Sequence, residues 1–291
     1  MQIFVNKPKA VIIDMMSTAV KAGFIEKALY RFLRNHGQEV MQQKWGEKDF
    51  METVAGVRRQ VRQEGPLTPN MPPVADKKAP MEEQQATLFN NVIWMIENGR
   101  ESDAHYKLKY VIYLDGYEKG RLYTHVYSDV ARNMRKWKEQ GIRVYMFSHA
   151  WVVVQQLFMG RTNHDSLSAC IDGYYDNQTM GPIEQAASFK RLLETIRLPP
   201  SDVIFLTKGI PEGRAAKEAG IHSILVISHR HQMTRYDKQD LQTFERIRSF
   251  VSSLILLFLL FDELSVSLHR TSCSGKASQR LPPRLLSQDQ E

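Results

Sequence analysis

Short apolar, β-branched runs alternate with amphipathic stretches through the second half of the chain. Runs at 10–13 (AVII), 143–147 (RVYMF), 202–206 (DVIFL) and 223–227 (SILVI) lack the polar–apolar alternation of a half-exposed strand. They predict strands buried on both faces. Between them, 127–140 places Val130, Met134 and Trp137 on one helical face and stops at Gly141. Segments 188–196 and 213–219, the latter closed by Gly220, repeat that pattern. Strand–helix alternation of this kind predicts a Rossmann-like, doubly wound parallel sheet with right-handed crossovers. Its site is expected at the carboxyl ends of the strands.

The pattern changes between Ala19 and Thr124. Helical periodicity dominates at 24–35, 50–63 and 80–98, a proline-rich loop occupies 65–80, and 110–114 is the one strand-like stretch. This predicts a helical cap, 19–124, inserted after the first strand of a core made of 1–18 and 125–250. The remainder, 251–291, reads as a divergent tail. Its apolar run, LILLFLLF at 254–261, is far shorter than the roughly 20 residues a bilayer requires. Beyond it, Ser, Arg and Pro without periodicity predict disorder.

Composition narrows the choices. A chain of 291 residues with 43% hydrophobic content can bury one sizeable core plus an insertion. The net charge of +7 is spread along the sequence. Its densest cluster, Arg58, Arg59 and Arg62, falls in a helical pattern and reads as a solvated face. Aromatic residues do not interleave with the basic ones, so nucleic acid is not an expected partner. Cys170 and Cys273 show no metal-type spacing and cannot form a disulfide framework, which fits a reduced intracellular protein. Residues 1–10 lack the long apolar stretch of a signal peptide.

Four positions bear chemistry. Asp14 ends the first strand, Ser148 the second and Thr207–Lys208 the third, while a loop around Pro182 precedes a helix. In a doubly wound sheet these points converge on one crevice. The segments AVIIDMMST (10–18), DGYEKGRLYTHVY (115–127), VYSDVARNMRKWKEQGIRVYMFS (126–148), QLFMG (156–160), IDGYYD (171–176) and VIFLTKGIPEGRAAKEAG (203–220) are co-linear. From about residue 10 to 250 the chain thereby resembles the enolase-phosphatases of methionine salvage, within the haloacid dehalogenase-like superfamily.

The resemblance implies an aspartyl nucleophile, an acid/base two residues later, a magnesium ion held by two aspartates, and a hydroxyl and a lysine gripping the phosphate. Asp14 matches the nucleophile and the first metal ligand. The acid/base position is Met16, which carries no proton at neutral pH. Ser17 stands where the family has Gly, and Thr18 is retained. Ser148 and His149 match the two phosphate-binding serines, and Ala150 the following Gly. The clamp lysine falls at Pro182, and the second metal carboxylate at Lys208. Glu212 matches a family acid. One lost charge-stabilising donor costs about a hundredfold to a thousandfold in rate, and a lost general acid/base roughly a hundredfold to ten-thousandfold. With three such groups replaced, the expectation is an impaired or inactive homologue with no bound magnesium. The alternative is an active magnesium-dependent enzyme converting 2,3-diketo-5-methylthiopentyl-1-phosphate to the acireductone plus phosphate. The resemblance further implies a cytoplasmic, also nuclear, monomer whose partner is a small phosphorylated metabolite, with no membrane partner.

Other residues have two readings each. The Lys208 ammonium either pairs with Asp14 in place of the missing cation or points to solvent. His149 is a replacement acid or, on general grounds more often, a satisfied polar group. His229 and His231 have metal-compatible spacing but no nearby third ligand in sequence. Lys190 sits too far inside its helix to replace the clamp. Trp151 either plugs the crevice or packs under the helix that begins there. Backbone donors at Ser17 and Thr18 can still hold phosphate.

Overall fold

The computed structural model describes residues 7–227 and 236–250. Within it, six strands form one parallel sheet in the order β3-β2-β1-β4-β5-β6. These are β1 (Ala10–Ile13), β2 (Arg143–Ser148), β3 (Gly173–Asp176), β4 (Val203–Thr207), β5 (His222–Val226) and β6 (Glu245–Ile247). The four apolar runs thus form the centre of the sheet, and the two strands that sequence periodicity missed are its edges. β3 is only half-buried and β6 is three residues long, so neither shows a continuous apolar run.

β1 is central and wholly buried. Successive side chains leave opposite faces of a strand. Ala10 and Ile12 join a cluster with Phe147, Phe189, Leu192, Phe205 and Ala216, while Val11 and Ile13 serve the other face. Phe189 meets Phe147 at 5.2 Å and Phe205 at 5.0 Å, both edge-to-face. The covering helices are α5 (Ser128–Glu139), α6 (Val152–Gly160), the short α7 (Asn177–Met180), α8 (Ala186–Ile196) and α9 (Ile210–Glu218), with α10 (Lys238–Thr243) before β6. Trp137 of α5 is fully buried, as its helical phase predicts. No helix among the described residues is long and apolar enough to cross a membrane.

Between β1 and α5 lie α1 (Tyr30–Lys44), α2 (Lys48–Glu64), α3 (Met81–Glu97) and α4 (Asp103–Glu118). α4 packs on α1, α2 and α6. The stretch 110–114 is therefore helix, not strand. It carries buried residues at 105, 108, 109, 112, 113 and 116, the spacing of one helical stripe, which a five-residue window conceals. Arg58 also departs from expectation. It is buried, with Nε donating to the Ala75 carbonyl at 2.9 Å and Nη2 to Gln84 Oε1 at 2.6 Å, so it anchors the proline-rich loop instead of facing solvent. His105 links Ser102 Oγ and Asn91 Oδ1, each at 2.7 Å, and burial pushes its pKa down to about 4. The His229–His231 pair, Cys273 and the apolar run at 254–261 lie outside the described residues.

Close helix packing depends on Gly116. A Cβ there would lie 2.6 Å from Phe32 Cζ and 2.8 Å from Leu122 Cδ1. Gly116→Ala is expected to destabilise the fold by roughly 1–3 kcal/mol through overpacking, read as a lower urea midpoint at unchanged slope.

Candidate functional site

Strand register builds the crevice. Ile13 pairs with Met146 of β2 and Leu206 of β4, so Asp14 emerges one step later, level with Thr207 and just short of Ser148. Its backbone N–H donates to the Leu206 carbonyl at 2.9 Å. The chain order reverses between β1 and β4, and such a switch point opens a crevice at the carboxyl ends of the strands. After Asp14 the backbone takes one wide turn, closed by the Val20 N–H to the Met15 carbonyl at 3.0 Å, and this returns Thr18 to Asp14.

Three hydroxyls converge on the Asp14 carboxyl. Ser148 donates to Oδ1 at 3.2 Å, Thr207 to Oδ2 at 3.2 Å and Thr18 to Oδ2 at 3.5 Å. Two of those hydroxyls are themselves oriented by backbone donors: Lys208 N–H to Thr18 Oγ1 at 3.1 Å, and Gly209 N–H to Thr207 Oγ1 at 2.9 Å. Burial, followed by the negative charge of Glu212, pushes the Asp14 pKa up to about 7 despite these donors.

Neither reading of Lys208 holds. No ion pair within 4 Å joins it to Asp14 among the described residues, and its nitrogen is not in solvent. The ammonium is buried without a hydrogen-bond partner, 5.6 Å from the centroid of the Tyr127 ring. The ring face supplies the electrostatic partner that the already hydrogen-bonded carboxyl does not. Burial pushes the Lys208 pKa down, while Tyr127 and Asp14 act against that shift. A magnesium ion does not fit these residues. Both Asp14 oxygens are engaged by hydroxyl donors, a lysine occupies the second carboxylate position, and Glu212 is turned toward His149.

Met16 lines a cavity of about 250 Å³ between the helical insertion and the sheet. Its walls include Tyr30, Tyr106, Tyr110 and Tyr113, the Glu101–Lys109 ion pair, Phe158 and His149. The tyrosines were missed because each is unremarkable alone. The signal lay in YKLKYVIY (106–113), where tyrosines at 106, 110 and 113 share one helical face. Trp151 meets Tyr106 edge-on, ring centroids 4.4 Å apart, at the start of α6, and so buttresses the cavity wall.

His149 does not touch Asp14. Its Nε2 lies 3.1 Å from Glu184 Oε1 and 3.4 Å from Glu212 Oε1, and its Nδ1 lies 3.2 Å from Asn177 Nδ2. The Glu212 hydrogen bond is the main cause raising its pKa. Glu184 had no sequence signal, because its loop lies outside every regular element. Pro182 and Lys190 are exposed. Asp176, at the end of β3, accepts from Val152 N–H at 2.8 Å and from Gln178 and Thr179 N–H at 3.0 and 2.9 Å, fixing the starts of α6 and α7.

Comparison with known proteins places this geometry. No family model matches the chain. Among solved structures, the UTR4 protein of Saccharomyces cerevisiae superposes with a TM-score of 0.63 at 20% identity, over 84% of this chain and 99% of that one. An L-2-haloacid dehalogenase gives 0.50 at 9% identity, over 87% and 100%. The chain has the haloacid dehalogenase-like fold. It is 29% identical over 238 residues to "Enolase-phosphatase E1" of Klebsiella oxytoca, covering 79% of this chain and 95% of that protein. The Xenopus tropicalis protein of that name is 25% identical over 218 residues, with 75% and 84% covered. The Aedes aegypti one is 27% identical over 248 residues, covering 83% of this chain but only 22% of its own length. The chain is a homologue of the enolase-phosphatase E1 proteins.

Two outcomes follow from the buried charges. The folded pKa of Asp14, about 7, exceeds its ordinary value of 3.8. The folded state therefore holds the extra proton between those values, and Asp14 costs stability as pH rises through that window, in full above about 7. Asp14→Asn is expected to stabilise the fold increasingly from about pH 4 to about pH 7, by on the order of a few kcal/mol at the plateau, read by urea unfolding across that range. Lys208→Met is expected to stabilise by no more than about 1 kcal/mol in urea unfolding at pH 7, because relief from burying the ammonium is offset by loss of its contact with Tyr127.

Proposed function

We propose that this chain is an enolase-phosphatase homologue of the methionine salvage lineage that has lost phosphoryl-transfer chemistry and keeps its crevice and cavity for binding a small phosphorylated metabolite. The observation that carries this reading is Lys208, which follows β4 at the position where the resembling family has its second metal carboxylate and whose ammonium lies over the Tyr127 ring. A phosphoryl acceptor must be an anion, and its reaction needs a cation facing the phosphoryl oxygens. Here the position of the second metal carboxylate holds an ammonium drawn over an aromatic ring. Met16 offers no proton to a leaving group. The cavity supplies apolar walls for a ligand, with His149 and the Glu101–Lys109 pair as polar contacts.

In the proposal the protein acts as a monomer in the cytoplasm or nucleus, with no membrane or nucleic-acid partner. A second reading, a working magnesium-dependent phosphatase of the diketone phosphate, draws support from one feature, the retained Asp14 with its collar of hydroxyls. Phosphate release from that diketone phosphate and from a generic phosphomonoester, with and without magnesium, separates the two. The expected result is release no faster than that of Asp14→Asn, and a Met16→Asp/Lys208→Asp variant at least about tenfold faster than the parent in magnesium. Steady magnesium-dependent turnover by the parent, abolished by Asp14→Asn, overturns the proposal.

A further inference from the structure

We propose that His149, Glu184 and Glu212 form a binding site for a first-row divalent cation of the zinc class, separate from the Asp14 crevice. Among the described residues this is the group of His, Cys, Asp and Glu side chains whose ligand atoms lie close enough to share an ion, all within 4.8 Å of one another. The three come from different elements: His149 follows β2, Glu184 lies in the loop before α8, and Glu212 stands in the first turn of α9. The fold thus brings them together at the rim of the crevice.

The distances suit a cation. Zinc bonds to imidazole nitrogen and carboxylate oxygen at about 2.0–2.1 Å in tetrahedral geometry, which sets ligand atoms roughly 3.3 Å apart. The two observed separations from His149 Nε2 are 3.1 and 3.4 Å. A protonated imidazole explains them less well. Its Nε2 has a single N–H, and two carboxylates have gathered on that one nitrogen. The proton makes a long hydrogen bond to Glu212, and the nearer Glu184 oxygen makes only an ion-pair contact. One divalent ion serves all three ligands at once and removes the repulsion between the two glutamates.

One further feature favours a built site. Glu212 Oε2 is buried with no hydrogen-bond partner, so its carboxylate has an acceptor to spare for a metal. That carboxylate rests against Gly209, where any Cβ would overlap it. The imidazole ligand points to the zinc class and away from magnesium, which favours all-oxygen sites and retains its waters. Half-exposed His149 and Glu184 leave room for water on the remaining coordination positions. His149 also lines the tyrosine cavity, so the ion would lie at its edge.

The test uses the tag-free full chain, titrated with cobalt(II) by visible absorption and with zinc by calorimetry. One equivalent is expected to bind saturably, with the intense visible bands of low-coordinate cobalt. His149→Ala and Glu184→Gln alter exposed side chains and should keep the parent circular dichroism and thermal midpoint in metal-free buffer. Each should weaken binding by more than the about 10- to 100-fold typical of losing an outer-shell partner. Asp14→Asn should keep saturable binding of one equivalent. Absence of saturable binding overturns the proposal, as does binding that persists in the His149→Ala/Glu184→Gln double variant. Binding lost in Asp14→Asn and kept in His149→Ala also overturns it, and would place the cation in the Asp14 crevice instead.

Discussion

The buried Asp14 carboxyl is the constraint around which this site is arranged. Water is excluded from Asp14, and ionising it there is costly. The carboxyl meets that cost in two ways, by collecting hydroxyl donors from three separate segments and by holding its proton up to about pH 7. The hydroxyls are in turn aligned by backbone N–H groups at the end of β4. The central strand, the wide turn after it and the β4 terminus are therefore joined through one side chain. A phosphatase would place a divalent cation at this junction. This chain places Lys208 nearby and directs its ammonium to Tyr127.

Around that junction the polar groups divide into two sets. Hydroxyls face inward to Asp14, while the imidazole of His149 faces outward to Glu184 and Glu212. Glu212 belongs to both in effect, since its charge helps raise the Asp14 pKa while its oxygen engages His149. Any change that neutralises Glu212 is thus felt by Asp14 without contact between them. The cavity beside them is mostly apolar and aromatic, with the ion pair of buried Lys109 and exposed Glu101 set into its wall.

Much of the fold was legible because buried parallel strands are continuous apolar runs, and four of them gave the sheet, its parallel sense and the place of the crevice. The edge strands escaped because edges need less burial. Residues 110–114 misled because a helix buried over much of its surface presents an apolar run as dense as a strand's. Arg58 misled for a different reason: a cation on a helical face looks solvated until a distant loop supplies carbonyl acceptors. At the site, sequence order located Asp14, Ser148, Thr207 and Lys208, since strand ends are set by register. It could not reveal where the Lys208 stem would turn, because that depends on Tyr127, distant in sequence. Nor could it reveal Glu184, whose position is fixed by a loop.

The hydroxyl collar has a directional consequence. Thr18 and Thr207 each receive a backbone N–H on oxygen, so each has only its own proton to give, and both give it to Oδ2. Ser148, which faces Oδ1, has no such incoming donor among the described residues. A proton arriving on Oδ2 would confront two hydroxyls already pointing at it, whereas a proton on Oδ1 needs only the Ser148 hydroxyl to rotate. The two oxygens of Asp14 are therefore inequivalent, and Oδ1 is the one that can take a proton at the cost of turning a single hydroxyl.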